Sequence, residues 1–189
     1  MRLALGGAVC LLAGASGAQT MTYFWTVSTD NGDTDLQPGE QASLSLWAHM
    51  DPEATGLAGT IYDIRGIQHW DTGDLVWYYN MFDSFGEQAD GENNIWAIEA
   101  FQLPPMFNPN FSADNPIEMY RLWWTTDDYT PRVIEVGDMN HLNNDVYTDE
   151  FGTSVPYEGV PGVARFTVNI PEPWALTLLG LAAVRRVRR

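Results

Sequence analysis

Ala42-Ser43-Leu44-Ser45-Leu46-Trp47-Ala48-His49 alternates apolar and other side chains along its whole length. Successive side chains on a β-strand point to opposite faces. A period of two therefore puts Leu44, Leu46 and Ala48 on one face, and Ser43, Ser45 and Trp47 on the other. Pro38-Gly39 just ahead is a turn signal. The same pattern returns at residues 163–170, with Ala164, Phe166, Val168 and Ile170 turned to a core and Arg165, Thr167 and Asn169 to water.

Working outward from these two segments, the rest of the body reads as β. Residues 22–28 are rich in aromatic and β-branched side chains, and a polar turn follows at 30–35. Residues 57–64 and 95–101 are further strand candidates. Residues 75–82 are apolar on both faces, as expected of a central strand covered on both sides. Residues 118–125 and 132–136 flank Asp127-Asp128-Tyr129-Thr130-Pro131 and read as the two arms of a hairpin. Residues 103–116 hold Pro104, Pro105, Pro109 and Pro116 and read as a loop, and 137–162 as mostly loop with a short strand near Val146. No window shows a helical stripe and no internal repeat is evident. The expected fold is an all-β antiparallel sandwich of about seven or eight strands over residues 19–170.

Both ends differ from this body. Residues 1–18 combine Arg2, an apolar run and small residues ending in Ala18, the pattern of a secretory signal peptide cut after Ala18. Cys10, the single cysteine, lies within that run, so the expected mature chain has neither a disulfide nor a thiol nucleophile. At the other end, Pro171-Glu172-Pro173 breaks the last strand, since each proline fixes φ and lacks an N–H. An apolar run of 11 residues follows at 174–184, then Arg185, Arg186, Arg188 and Arg189. The run favours a short hydrophobic helix, and the arginines resist translocation and hold the terminus on the cytoplasmic side.

These last residues resemble the PEP-CTERM sorting signal, by which envelope proteins of exopolysaccharide-producing bacteria are handed to an exosortase. Pro171, Glu172 and Pro173 match the signature tripeptide. Residues 174–184 match its apolar segment, and Arg185, Arg186, Arg188 and Arg189 its basic stop. The resemblance implies export across the inner membrane, with an exosortase as partner and the cell envelope or extracellular matrix as destination. It also implies association with exopolysaccharide or biofilm. The run is short for the family: about 16 Å as a helix against a hydrocarbon core of about 30 Å, which favours a transient membrane association and a cleaved signal. Leu36-Gln37-Pro38-Gly39-Glu40 and the 125–132 segment are similar to bodies of other PEP-CTERM proteins, some of them cohesin-like sandwiches.

Charge narrows the partners. The whole chain has a net charge of −16 and no lysine. Between residues 19 and 170 there are 4 positive side chains (Arg65, Arg121, Arg132 and Arg165) against 24 negative ones. Such a surface repels nucleic-acid phosphates and anionic lipid and suits a saline setting.

Catalytic patterns are missing from the sequence. It has no Gly-x-Ser-x-Gly elbow and no lysine for a Schiff base or a phosphate loop. His49, His69 and His141 have no zinc-ligand spacing. Glycosidase chemistry needs two carboxylates at a fixed separation, which a sequence this rich in acids does not single out. The reading is therefore non-enzymatic. Asp30, Asp33 and Asp35, with Asn31 around Gly32, supply hard oxygens suited to Ca²⁺, or equally the Asx turns of a polar loop. Asn143, Asn144, Asp145, Asp149 and Glu150 form a looser second cluster.

Aromatic side chains are the remaining feature, with eight tryptophans. The C–H faces of sugar rings stack on indoles, whereas core aromatics fill a sandwich. Trp47, opposite the buried Leu44 and Leu46, and Trp70 are the candidate carbohydrate contacts; Trp77, Tyr79, Trp96 and Trp123 are weaker ones. Trp124 shares a face with Leu122 and belongs to the core.

Overall fold

The computed structural model describes residues 19–51, 53–66, 75–80, 83–85, 88–89 and 94–169. Among the described residues there are thirteen strands: β1 (Thr20–Thr29), β2 (Asp35–Leu36), β3 (Ala42–Met50), β4 (Gly56–Gly66), β5 (Leu75–Asn80), β6 (Asp83–Phe85), β7 (Gln88–Ala89), β8 (Ile95–Phe101), β9 (Ile117–Trp124), β10 (Arg132–Tyr147), β11 (Ser154–Pro156), β12 (Glu158–Val160) and β13 (Val163–Val168). Eight of them are six residues or longer, which matches the expected number; the others are short edge pieces. The proline-rich loop holds the one described helix, a 3₁₀ turn at Pro105–Phe107. Among the described residues no helix is long and apolar enough to cross a membrane.

The strands form two sheets. One has the order β12-β1-β3-β9-β5; the other runs β2-β13-β10-β4-β8-β6, with β11 paired to β10 and β7 to β8. Pairing between the long strands is antiparallel, and only the short β12 and β2 lie parallel, beside β1 and β13. The period of two decides which face is buried. On β3, Leu44, Leu46, Ala48 and Met50 are inside, and on β13, Ala164, Phe166 and Val168. Met21 and Tyr23 of β1, Ile64 of β4, Ile98 of β8 and Ile134 and Val136 of β10 complete the facing layers. Trp124 meets Phe166 edge-on across the two sheets at 5.1 Å, a favourable aromatic geometry that fills the interlayer space.

One polar group crosses this interior. The Tyr23 hydroxyl, on the five-stranded sheet, lies 2.7 Å from both Thr60 Oγ1 and Asn144 Oδ1 on the other. Thr60 in turn donates to Asn144 Oδ1 at 2.6 Å. Near the start of β1, the turn between β12 and β13 presses so close that a Cβ on Gly162 would lie 2.5 Å from the Tyr23 carbonyl oxygen.

Three expectations are corrected. Residues 137–162 are largely strand: β10 runs unbroken to Tyr147, and β11 and β12 follow. Asp and Asn are poor strand formers, but β10 pairs with β4 on one side and with β13 and β11 on the other, and that pairing overrides propensity. The segment at 75–80 is not central, for β5 lies at the end of its sheet beside β9. Lastly, β9 and β10 are not a hairpin, because they belong to different sheets. The polar signals at 127–131 mark a chain reversal without saying which layer the chain re-enters; here Asp128 Oδ1 accepts the Thr130 N–H and Arg132 donates to the Asp128 carbonyl, closing a crossover loop. The expected signal peptide, residues 1–18, and the tail, residues 171–189, lie outside the described residues.

Candidate functional site

The outer face of the five-stranded sheet carries a row of aromatics in Phe24, Trp47 and Trp123. Its composition follows from the alternation that fills the core. With Tyr23, Leu44 and Leu46 inside, Phe24, Ser45 and Trp47 face outward, and register brings them into rows. Trp47 pairs with Phe24 on one side and Glu118 on the other; Ser45 with Thr26 and Arg121; Ser43 with Ser28 and Trp123. Beyond β9, Tyr79 and Trp77 of β5 hold the register positions next to Arg121 and Trp123.

A bulge makes this face. Between Leu46 and Trp47 the register with β9 slips by one residue, so that Met119 and Tyr120 are both buried. In a regular strand Glu118 and Arg121 would point to opposite sides. The extra residue returns them to the same side. There Arg121 grips Glu118 with two hydrogen bonds, Nε to Oε1 at 2.7 Å and Nη2 to Oε2 at 2.6 Å. Nε also donates to Ser45 Oγ at 3.1 Å, and the guanidinium carbon sits 5.9 Å from the centre of the Trp123 ring.

At one end of this polar row is a flat aromatic pair. The Phe24 and Trp47 rings are nearly parallel, 12° apart, with centres 6.5 Å apart. Trp47 donates its indole N–H to Thr26 Oγ1 at 2.9 Å, which fixes the ring and satisfies its one polar atom. Phe24 is 36% exposed and Trp47 half-buried. Trp123, half-buried, marks the other end, about 13 Å along the strand by the usual rise per residue.

The other candidates are placed as follows. Trp124 is fully buried. Trp96 lies on the other sheet, its ring covered by the Arg65 guanidinium at 3.9 Å. His49 is exposed on β3. Asp30 and Asp33 lie in one turn, and Asp35 opens β2 just after it. Asp33 Oδ1 accepts the Thr29 hydroxyl at 2.8 Å and the Asp35 N–H at 2.9 Å, and Asp30 Oδ2 accepts the Gln41 N–H. The Asp35 N–H first, then the Thr29 hydroxyl, hold the Asp33 carboxyl below its ordinary pKa. Among the described residues no three His, Cys, Asp or Glu side chains converge as a metal cage would require. The second acidic cluster is divided: Asn144 is in the core, while Asp149 Oδ1 collects the N–H groups of Phe151, Gly152 and Thr153. Trp70, Ala18, Pro171, Glu172, Pro173, Arg185, Arg186, Arg188 and Arg189 lie outside the described residues.

Parity along β3 is enough to single out Trp47, but not its partners. Phe24 stands out only once the register with β3 is known. The Glu118–Arg121 pair does leave a trace in the sequence, because the alternation stalls at Met119-Tyr120 between two opposite charges three residues apart.

Comparison with known proteins adds the fold. No protein-family model matches the chain, and no curated protein matches it. Solved structures do resemble it. The seventh type I cohesin of ScaB from Pseudobacteroides cellulosolvens superimposes with a TM-score of 0.51 at 11% identity, covering 80% of this chain and 92% of that one. A type I cohesin–dockerin complex from Clostridium thermocellum gives 0.52 at 12% identity, over 80% and 99%. The cohesin module of a family 33 glycoside hydrolase from Clostridium perfringens gives 0.50 at 8% identity, over 82% and 98%. At these identities the likeness is one of fold: the body is a cohesin-like β-sandwich.

Proposed function

We propose that this chain is an exported, non-enzymatic module of the cell envelope or extracellular matrix, and that it holds polysaccharide on the outer face of its five-stranded sheet. The observation that carries the reading is the Phe24–Trp47 pair, two near-parallel rings set on a rigid sheet with the indole N–H already bonded. An apolar ring face that costs no further ordering can accept the C–H face of a sugar. Thr26, Glu118 and Arg121 beside it, with Ser45 buried beneath the guanidinium, offer polar groups for sugar hydroxyls. Routing would follow the two end signals: cleavage after Ala18, then exosortase processing at Pro171-Glu172-Pro173 during a transient stay at the inner membrane. The association with exopolysaccharide or biofilm belongs to this reading.

Retention of the full chain on insoluble and soluble glycans tests the binding half. Trp47→Ala is expected to weaken retention about tenfold while leaving the thermal midpoint within a few degrees. Equal retention of wild type and variant removes the platform. Deleting residues 171–173 tests the sorting half: the intact chain is expected to be processed to a smaller envelope form and the deletion to block this. Identical size and location for both count against it.

A second reading, a protein partner, is favoured by one observation. Leu103, Met106, Phe107 and Phe151 are all more than half exposed, and the Met106 N–H bonds the Glu150 carbonyl, tying the two loops into one apolar tip. One of the similar folds is a cohesin in complex with a dockerin. Loss of a protein partner on Phe107→Ser, with glycan retention intact, would favour this reading.

A further inference from the structure

We infer that the ligand of the outer sheet face is an uncharged polysaccharide, and that the face is built to refuse polyanionic ones such as uronic-acid polymers. This rests on the platform reading above. It is carried by the fate of the cations. Residues 19–170 contain Arg65, Arg121, Arg132 and Arg165 and no lysine. Each of these four guanidiniums is committed to a carboxylate of its own neighbourhood: Arg65 to Asp63 at 2.7 Å, Arg132 to Asp128 at 3.3 Å, Arg165 to Glu135, and Arg121 to Glu118.

Recognition of a sugar carboxylate or sulfate relies on an arginine or lysine that can present its N–H groups to the ligand. Arg121 is the one arginine on the aromatic face, and its Nε–Nη2 edge is held by both oxygens of Glu118, which neutralises its charge in place. An anionic chain would meet a neutralised pair there rather than a free cation, and could take the bidentate edge only by displacing Glu118. It would also approach through the field of 24 carboxylates against 4 arginines, which slows encounter and raises the cost of every added negative charge. A neutral chain meets neither obstacle. It needs only the ring faces of Phe24 and Trp47 and hydrogen-bonding partners for its hydroxyls, which the exposed Thr26 and the carboxylate of Glu118 supply.

The experiment is affinity electrophoresis of the full-length chain in gels carrying hydroxyethylcellulose or galactomannan as neutral polymers, or alginate as the polyanion, at low ionic strength. Wild type is expected to be retarded by a neutral polymer and to run freely in alginate. Trp47→Ala should lose about tenfold of the neutral retardation, and Trp47→Tyr, which keeps a ring, should retain most of it, guarding against a mere folding defect. Glu118→Gln releases the Arg121 fork beside the platform and is expected to create retardation in alginate that salt abolishes. Alginate retardation of the wild type equal to the neutral polymers, abolished by Trp47→Ala, would overturn this inference and leave the platform standing. Retardation that ignores both Trp47 variants and Phe24→Ala, or none in any gel, would overturn the platform and this inference together.

Discussion

Tyr23 carries a hydroxyl into the middle of an apolar sandwich, and its position explains why the two layers meet in one way only. Three close contacts join Tyr23, Thr60 and Asn144, yet the two hydroxyls own only two protons between them. At any instant two of the three contacts are hydrogen bonds, and Asn144 Oδ1 is the shared acceptor. All three side chains are nearly inaccessible to water, so the group is costly to leave half-made. Tyr23→Phe removes one donor and keeps the ring. The expected loss is about 1–3 kcal/mol, measured by urea unfolding, with an unchanged m-value. A change under about 0.5 kcal/mol would mean that the triad is incidental to stability. Nothing local in the sequence announces this triad, since the partners of Tyr23 are 37 and 121 residues away. The aromatic ring is legible as part of a strand; its hydroxyl acquires meaning only from the pairing of sheets.

Most strands are legible as strands in the amino-acid sequence, β4 and β8 included, but only a clean period of two also tells which face is buried. For β3 and β13 the expected inner faces are the ones found buried, from Leu44 through Phe166. A residue's side of the sheet is a local property there, decided by alternation alone. Which sheet a strand joins is not local. β9 and β10 flank a turn-like segment and still part into different layers, and β10 extends through Asn- and Asp-rich sequence because β4 pairs along it while β13 and β11 hold its two ends. The candidate site shows the same division. Trp47 follows from its parity, whereas the Glu118–Arg121 fork depends on the bulge in β9. The contact of β9 with β13 supplies a prediction at this scale. Phe166 is buried and meets Trp124 edge-on. Phe166→Ala should cost about 3–5 kcal/mol by opening a cavity between the layers, and Phe166→Leu, which refills much of that volume, markedly less. Equal losses for the two variants in chemical unfolding would show that volume is not what Phe166 contributes.

Across the whole molecule, charge works against folding at neutral pH, and two opposed effects set its response to acid. With 24 carboxylates against 4 arginines in residues 19–170, the compact state repels itself, and salt relieves that repulsion within a Debye length of about 10 Å at 0.1 M. Protonating carboxylates relieves it too. Against this stand Asp33, Asp128 and Asp149. Hydrogen bonds from the Asp35 N–H, the Thr130 hydroxyl and the Thr153 hydroxyl respectively, each the largest cause, hold their carboxyls below the ordinary value of 3.8. A carboxyl that binds its proton less tightly when folded than when unfolded adds stability above the unfolded pKa of about 4, and loses it as pH falls through the lower folded value. The thermal midpoint at low salt should therefore rise as pH drops from 7 toward about 5, then fall below about 4 as the three turns lose their acceptors. Molar salt should raise the midpoint at pH 7, and that gain should shrink as the acids neutralise. Replacing Asp149 by Asn keeps an oxygen for the three N–H groups but not its titration, so the acid limb should become shallower. A midpoint indifferent to salt at pH 7 would mean that the acids are spaced widely enough for water alone to screen them, and the refusal of polyanions would then rest on the closed Arg121 fork rather than on the field of the whole domain.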